Sequence, residues 1–248
     1  MNSIKKLKIK ELKENKYYSN CELSKTKTEG RLIAVNKKYL AFSLKNPGEI
    51  KIVDTSNQNI KQNQPYIKGI EELILDLEFS PFNNNILSSS YLNNSILIWK
   101  IPENGLNEDL TKEILTYKEH SEKVHFINFN PIVEDLIASV DFKQELHIWN
   151  ISKGKTCVKL KAEGSPTFMS WSPNGDLIGA TVKYRFINIF DPRNNKIICK
   201  QKISDSFLNT KFAWIDNNLF ITTNGKSGIN ASYQELKLWD IRKLTNNI

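Results

Sequence analysis

Cysteine is scarce in this 248-residue chain, and its three copies, Cys21, Cys157 and Cys199, lie far apart. An odd number of isolated cysteines argues against a disulfide framework and favours reduced thiols. The chain also lacks the roughly 18 consecutive uncharged apolar residues that a membrane span needs. Its N-terminal stretch is basic but has no apolar block of the kind found in signal peptides. We therefore expect a cytoplasmic protein.

Catalytic and metal-binding motifs are missing from the sequence as well. There is no HExxH, no GxSxG and no paired CxxC, and the chain has only three histidines, His120, His125 and His147. The segment 225–227, Gly-Lys-Ser, echoes a phosphate-binding loop but lacks the upstream glycine and a following helix. We expect no enzyme activity, no cofactor and no metal ion, with His125 and His147 on strand faces.

Negative charge is in the minority, since 35 Lys and Arg face 27 Asp and Glu and give a net charge of +8. Such a surface favours an acidic partner, which includes nucleic acid, anionic lipid and acidic proteins such as filaments. Lysine-rich faces also serve solubility alone. The aromatic residues fall at core strand positions rather than among the basic groups, which argues against nucleic acid. Weak contact with a membrane surface stays open.

What the chain does contain is a repeat. Each copy has an opening strand that ends in an aromatic residue, a turn, a short apolar strand, a second turn and a closing strand. The copies are LEFSPFNNNILSSSYLNNSILIWKI (77–101), INFNPIVEDLIASVDFKQELHIWNI (127–151), MSWSPNGDLIGATVKYRFINIFDP (169–192) and KFAWIDNNLFITTNGKSGINASYQELKLWDI (211–241). The closing aromatics Trp99, Trp149, Phe190 and Trp239 are about 41 to 50 residues apart. This period is close to that of WD repeats.

The repeat predicts an all-β fold of the WD-repeat β-propeller type. A more degenerate copy precedes the four, so we expect about five blades, within residues 20–72, 73–122, 123–165, 166–208 and 209–248. A single blade is apolar on both faces and has to stack on its neighbours. Trp99, Trp149 and Trp239 should therefore be buried between blades. The chain divides into a basic N-terminal edge strand at 1–20 and the propeller at 21–248.

One repeat carries the polar residues that lock a WD blade from within. His120, Ser139, Asp141 and Trp149 have the expected order and are predicted to form a buried hydrogen-bond network. In the preceding repeat, Ile70 stands where the histidine is expected. The network accounts for His120 better than a metal or catalytic role does.

Several stretches resemble coronins, a family of WD-repeat proteins that bind actin filaments. They are AVNKKYLAF (34–42), WKIPENGL (99–106), HSEKVHFINFNP (120–131) and INIFDPRNNK (187–196). The resemblance covers nearly the whole chain, and its most specific part is the run IPENGL. It implies an N-terminal propeller portion with about five of seven blades present, in an incomplete or open ring. In the family a strand like the one at 1–20 completes the last blade and closes the ring, but here that blade is expected to be absent and the strand would have no sheet to join. An uncovered fifth blade predicts poor solubility or dimerisation.

The resemblance also implies a function. It suggests a non-catalytic regulator of the actin cytoskeleton, with actin filaments as partner and the actin-nucleating Arp complex as a further one. The alternative is a general WD-repeat scaffold that binds other proteins.

Two groups of basic residues are candidates for binding actin. Coronins place a basic residue on the early strand of blade one, where this chain has Glu22; Lys25, Lys27 and Arg31 lie nearby and could substitute for it. The second group is in the turns of blade four and consists of Lys183, Arg185, Arg193 and Lys196. Exposed turns commonly carry recognition residues. A solvated loop and a solubilising edge are the alternatives.

Overall fold

The computed structural model describes residues 22–55, 64–183, 185–204, 210–225 and 234–244. Nineteen strands in these ranges form five antiparallel sheets, which confirms the all-β propeller fold. Their only helical element is a 3₁₀ turn at Ile241–Lys243, and no helix there is long and apolar enough to cross a membrane. The predicted edge strand at 1–20 lies outside the described residues, as do Cys21, Lys226 and Ser227.

Each sheet is one blade, in which consecutive strands are hydrogen-bonded neighbours. The strands of the five blades are β1 Ile33–Val35, β2 Tyr39–Ser43, β3 Glu49–Asp54 and β4 Tyr66–Lys68; β5 Ile74–Phe79, β6 Ile86–Tyr91, β7 Ile96–Lys100 and β8 Leu115–Tyr117; β9 Val124–Phe129, β10 Leu136–Asp141, β11 Glu145–Asn150 and β12 Lys155–Lys161; β13 Pro166–Trp171, β14 Ile178–Val182, β15 Phe186–Asp191 and β16 Lys196–Lys202; β17 Lys211–Trp214, β18 Leu219–Gly225 and β19 Gln234–Asp240. All of them fall within the predicted blade ranges.

The turn between the second and third strands repeats its backbone conformation from blade to blade. Gly48, Asn94, Gln144 and Arg185 occupy this turn in blades one to four, and each has a φ of 68° to 79°. This left-handed region suits glycine and asparagine and is uncommon for other residues. At Gly48 a side chain is also excluded by space, since a Cβ would lie 1.9 Å from the carbonyl oxygen of Ile70.

The hydrophobic core lies between the blades rather than at one centre. Four clusters of buried apolar residues fill the four interfaces between consecutive blades. Trp99, which pairs with Leu87 across the sheet, packs between blades one and two, and Trp149 packs between blades two and three. Both indoles are fully buried, whereas Trp239 is only half-buried beside the interface of blades four and five. Truncation of such a buried tryptophan to alanine typically costs about 3–5 kcal/mol.

Candidate functional site

Each blade has two ends, and the candidate residues are distributed between them. In blade two, β5 and β7 begin, and β6 and β8 end, at the same edge of the sheet. The connections between blades and the turns between second and third strands therefore share one surface, which we call the loop face. The turns between first and second strands, and between third and fourth strands, lie at the opposite end.

The buried polar network of blade three is present, and its centre is the hydroxyl of Ser139. Trp149 Nε1 donates to this oxygen at 2.7 Å, and His120 Nε2 lies 2.6 Å from it. The other nitrogen of His120, Nδ1, is 3.4 Å from Asp141 Oδ2. Burial opposes ionisation of Asp141, but the nearby His120 imidazole and the hydrogen bond from the backbone N–H of Glu145 lower the pKa of this carboxyl. The structure thus brings all four predicted residues together.

Blade two achieves the same lock with a different residue, which the sequence analysis missed. Trp99 Nε1 donates to Ser89 Oγ at 2.8 Å, and that hydroxyl donates to Tyr91 Oη at 3.2 Å. Burial raises the pKa of the Tyr91 phenol to about 12, so it stays neutral. Tyr91 follows Ser89 by two residues, as Asp141 follows Ser139 in blade three, and this spacing was the available signal.

A stacked pair of imidazoles lies beside the blade-three network. The rings of His120 and His147 are 4.1 Å apart between centroids, and His147 Nε2 is 3.7 Å from Glu145 Oε2. Burial, together with the neighbouring His120 and Lys159, lowers the pKa of His147 to about 4.

These three side chains, His120, Glu145 and His147, could present ligand atoms to a metal ion. The arrangement fits a metal poorly, because both nitrogens of His120 already face Ser139 and Asp141. A metal ion would have to break the lock of its own blade. We therefore assign His120 to the network, and His147 to packing on the strand face.

Arg31, which the sequence analysis grouped with Lys25 and Lys27, is partly exposed, but it ties blade one to blade two. Its guanidinium contacts both oxygens of Asp76 at 3.0 Å and Oε1 of Glu78 at 2.9 Å, and donates to the carbonyl oxygen of Ile127. Asp76 is completely buried and also accepts from the backbone N–H of Arg31 at 2.7 Å. The cation is committed to internal partners, so it is not a free contact for actin.

The same chain of contacts continues from blade two to blade five. Glu78 Oε2 accepts from the backbone N–H of Phe129, and Glu78 Oε1 accepts from Asn128 Nδ2, each at 2.7 Å. Asn128 in turn accepts from the backbone N–H and the indole N–H of Trp171 in blade four. The indole N–H of Trp214 in blade five donates to the carbonyl oxygen of Ser170. Polar contacts between the first strands thus link all five blades, and burial raises the pKa of Glu78 although Arg31 opposes it.

Lys25 and Lys27 are exposed on the loop face. The segment that carries them is anchored at both ends, by the bridge between Leu23 and Leu44 and by the hydrogen bond from Thr28 Oγ1 to the carbonyl oxygen of Leu75. Among the described residues, neither lysine has a recorded ion pair. Glu22, which stands where the family carries a basic residue, is paired with Lys45 at 3.0 Å.

The predicted basic group of blade four does not form one patch. Lys183 and Arg185 lie in the turn before β15, on the loop face, whereas Arg193 and Lys196 follow the end of β15. The six-residue strand separates the two pairs by roughly 17 Å at about 3.3 Å per residue. Arg193 is also paired with Asp191 and Asp176. The prediction grouped residues that are close in sequence but lie at opposite ends of the blade.

Comparison with known sequences relates the chain to several proteins. A family model described as a domain of unknown function, DUF1899, matches residues 5–59. A coronin-like protein of Saccharomyces cerevisiae is 26% identical over 224 residues, which cover 86% of this chain and 33% of that protein. A coronin-like protein of Schizosaccharomyces pombe is 24% identical, with 93% and 39% covered. The chain therefore spans less than two fifths of the length of these relatives.

Comparison of folds agrees with the sequence matches. The chain superposes on the crystal structure of the WD40 domain of Toxoplasma gondii coronin with a TM-score of 0.86 and 28% identity. The aligned region covers 93% of this chain and 60% of that chain. Both proteins thus share the stacked-blade architecture over nearly all of the present sequence.

Proposed function

Since the chain is a coronin-type protein, we propose that it binds actin filaments as a non-catalytic platform and works in the actin cytoskeleton. The resemblance predicted from segments such as WKIPENGL is confirmed by these relatives. The observation that carries the proposal for this chain is the pair of exposed, unpaired lysines on the loop face, Lys25 and Lys27. They supply positive charge next to the position where Glu22 replaces the family's basic residue.

The surroundings of the two lysines support a role in binding. Backbone and side-chain contacts fix their segment to the end of β2 and the start of β5. Because the segment is already ordered in the free protein, binding loses less conformational entropy. Some other lysines of the loop face are paired with glutamates, for example Lys143 with Glu122. An exposed charge pair contributes less than about 1 kcal/mol. Binding through this patch therefore depends on several weak contacts and weakens as salt rises.

Co-sedimentation with actin filaments tests the proposal. We expect the double variant Lys25→Glu with Lys27→Glu to bind filaments with an apparent affinity about tenfold lower than that of the unmodified 248-residue chain. The matched control reverses Lys112 and Lys155, which are also exposed and form no ion pair with a described residue, but lie at the opposite end of the blades. This control should pellet like the unmodified chain.

Two results would count against the proposal. Equal pelleting of both double variants would remove the Lys25 and Lys27 patch from the filament contact. Absence of pelleting by the unmodified chain at low salt, combined with recovery of a complex without actin in a pull-down, would instead favour a general WD-repeat scaffold.

A further inference from the structure

An exposed phenylalanine on the loop face is flanked by two lysines from different blades. Phe142 follows β10, in the turn between the second and third strands of blade three, and is 42% exposed. Lys123 Nζ, from the connection into blade three, lies 5.0 Å from the centre of this ring. Lys183 Nζ, from the corresponding turn of blade four, lies 5.3 Å from it. One apolar surface and two positive charges are thus held together by three separate connections.

No carboxylate in the described part of the chain forms an ion pair with either lysine of this cluster. Among the described residues, Lys123 and Lys183 have no recorded ion pair, whereas the neighbouring Lys211 is paired with Glu29 at 3.5 Å. Several other lysines at or near the loop face are likewise paired with glutamates, namely Lys45–Glu22, Lys143–Glu122, Lys159–Glu119 and Lys200–Glu163. Unlike these paired lysines, the two ammonium groups beside Phe142 have no carboxylate partner among the described residues.

A further polar group at the cluster also lacks a partner. The ring of His125 lies 5.4 Å from that of Phe142, and neither of its nitrogens has a hydrogen-bond partner among the described residues. Burial and the two lysines lower the pKa of His125, so the imidazole is neutral at physiological pH. The neutral ring extends the apolar contact surface below Phe142.

We propose that the cluster of Lys123, Phe142 and Lys183 is a docking site for an acidic linear peptide of a partner protein. Aspartate or glutamate side chains of the peptide pair with the two ammonium groups, while an adjacent apolar side chain packs on Phe142. One apolar ring between two cations matches a peptide that carries an apolar side chain next to acidic ones. Single-stranded nucleic acid fits less well, because it calls for a series of exposed aromatic rings. The site is distinct from the Lys25 and Lys27 patch and does not depend on filament binding.

Fluorescence anisotropy tests the site with a short fluorescein-labelled peptide of aspartate and glutamate around one central phenylalanine. The same peptide with asparagine and glutamine in place of the acids is the ligand control. We expect the 248-residue chain to bind the acidic peptide, and the double variant Lys123→Ala with Lys183→Ala to bind about tenfold more weakly. Phe142→Ala should weaken binding about fivefold.

Two matched variants separate the site from general effects of charge and hydrophobicity. The pair Lys112→Ala with Lys155→Ala removes the same charge at the opposite end of the blades. Phe82→Ala removes a ring of nearly equal exposure, 43%, from a turn at that opposite end. Both variants should bind the acidic peptide like the unmodified chain, and filament pelleting should be retained by the Lys123 and Lys183 double variant.

Four outcomes would overturn the proposal. The first is that the neutral peptide binds as tightly as the acidic one. The second is that the matched variants weaken binding as much as the variants of the cluster. The third is that a single-stranded oligothymidylate binds more tightly than the peptide and that this binding is lost in the Lys123 and Lys183 double variant. The fourth is a parallel loss of filament pelleting in this variant, which would make the filament surface, rather than a separate peptide, the acidic ligand. Failure of filament binding in the unmodified chain would leave the peptide result unaffected.

Discussion

At the scale of single residues, a WD blade is locked by one buried hydroxyl that serves the closing tryptophan. In blade three Ser139 Oγ accepts from Trp149 Nε1 and contacts His120 Nε2. In blade two Ser89 and Tyr91 play these parts, and in blade five Thr222 Oγ1 accepts from Trp239 Nε1 at 2.9 Å. The acceptor is therefore retained in three blades, whereas the group that supports it varies.

Replacement of Ser139 by alanine is expected to destabilise the protein by about 1–3 kcal/mol. The substitution leaves the buried indole N–H of Trp149 and the buried Nε2 of His120 without a partner, and unsatisfied buried groups carry their full desolvation cost. Urea denaturation followed by tryptophan fluorescence measures the change.

The matched control is Ser90→Ala in β6. Ser90 is also completely buried, but its hydroxyl has no hydrogen-bond partner. Its removal should change stability by less than about 0.5 kcal/mol, or should stabilise the fold. Similar losses for Ser139→Ala and Ser90→Ala would show that both effects come from lost volume and not from the network.

At the scale of elements, Arg31, which precedes β1, ties blade one to the first strands of blades two and three. We expect Arg31→Ala to destabilise the fold by roughly 2–3 kcal/mol, because it leaves the buried carboxylate of Asp76 without its cation. This range lies below that for fully buried ion pairs, since the Arg31 side chain is 43% exposed to water. Arg31→Lys keeps the charge but loses the two-pronged contact with Asp76, so its loss should be intermediate.

Denaturant unfolding of these variants, with Lys27→Ala as an exposed control, separates a structural from a binding role for Arg31. The control should lie within about 0.5 kcal/mol of the unmodified chain. If Arg31→Ala unfolded at the same denaturant concentration as the control but lost filament pelleting, the internal assignment would be wrong.

The elements also show what could be predicted from the sequence and what could not. Blade limits and the blade-three network follow from local spacing, because a repeated strand pattern and a His-Ser-Asp-Trp order are readable along one chain. The lock of blade two was missed because Tyr91 replaces a residue type that the motif specifies. The role of Arg31 depends on Asp76 and Ile127, which are 45 and 96 residues away, and a sequence without its fold does not show such partners.

The basic group of blade four shows the converse, since residues that are close in sequence lie far apart in the structure. Lys183 and Lys196 are close in sequence, but a strand runs between their turns and carries them to opposite ends of the blade. Phe142 lies in a turn of blade three, and its contacts with Lys123 and Lys183 arise only where blades three and four meet. Surface clusters are set by the stacking of blades, which local periodicity does not describe.

At the scale of the whole molecule, blades one and five differ from the blades between them because each has one face without a described neighbour. On β1, Ile33 and Val35 are 60% and 69% exposed, and on β19, Leu236 and Leu238 are 71% and 64% exposed. In blades two to four the equivalent faces are buried in the clusters between blades. The apolar pattern that stacks the blades thus continues onto two surfaces that no described strand covers.

These surfaces lead us to expect self-association of the 248-residue chain that increases with concentration. β19 pairs only with β18 among the described strands, so an open strand edge lies beside the exposed leucines, and an open edge with an apolar face invites pairing with another chain.

Sedimentation velocity at rising concentration should show growth of a larger species. The double variant Leu236→Lys with Leu238→Lys should suppress that species, because two charges would have to be buried in the contact. Ile132→Lys with Val133→Lys replaces two apolar side chains that are also at least half exposed, in a turn of blade three, and should leave the association unchanged. A monomer at all concentrations would show that +8 net charge and lysine-rich surfaces outweigh the attraction of the two apolar faces.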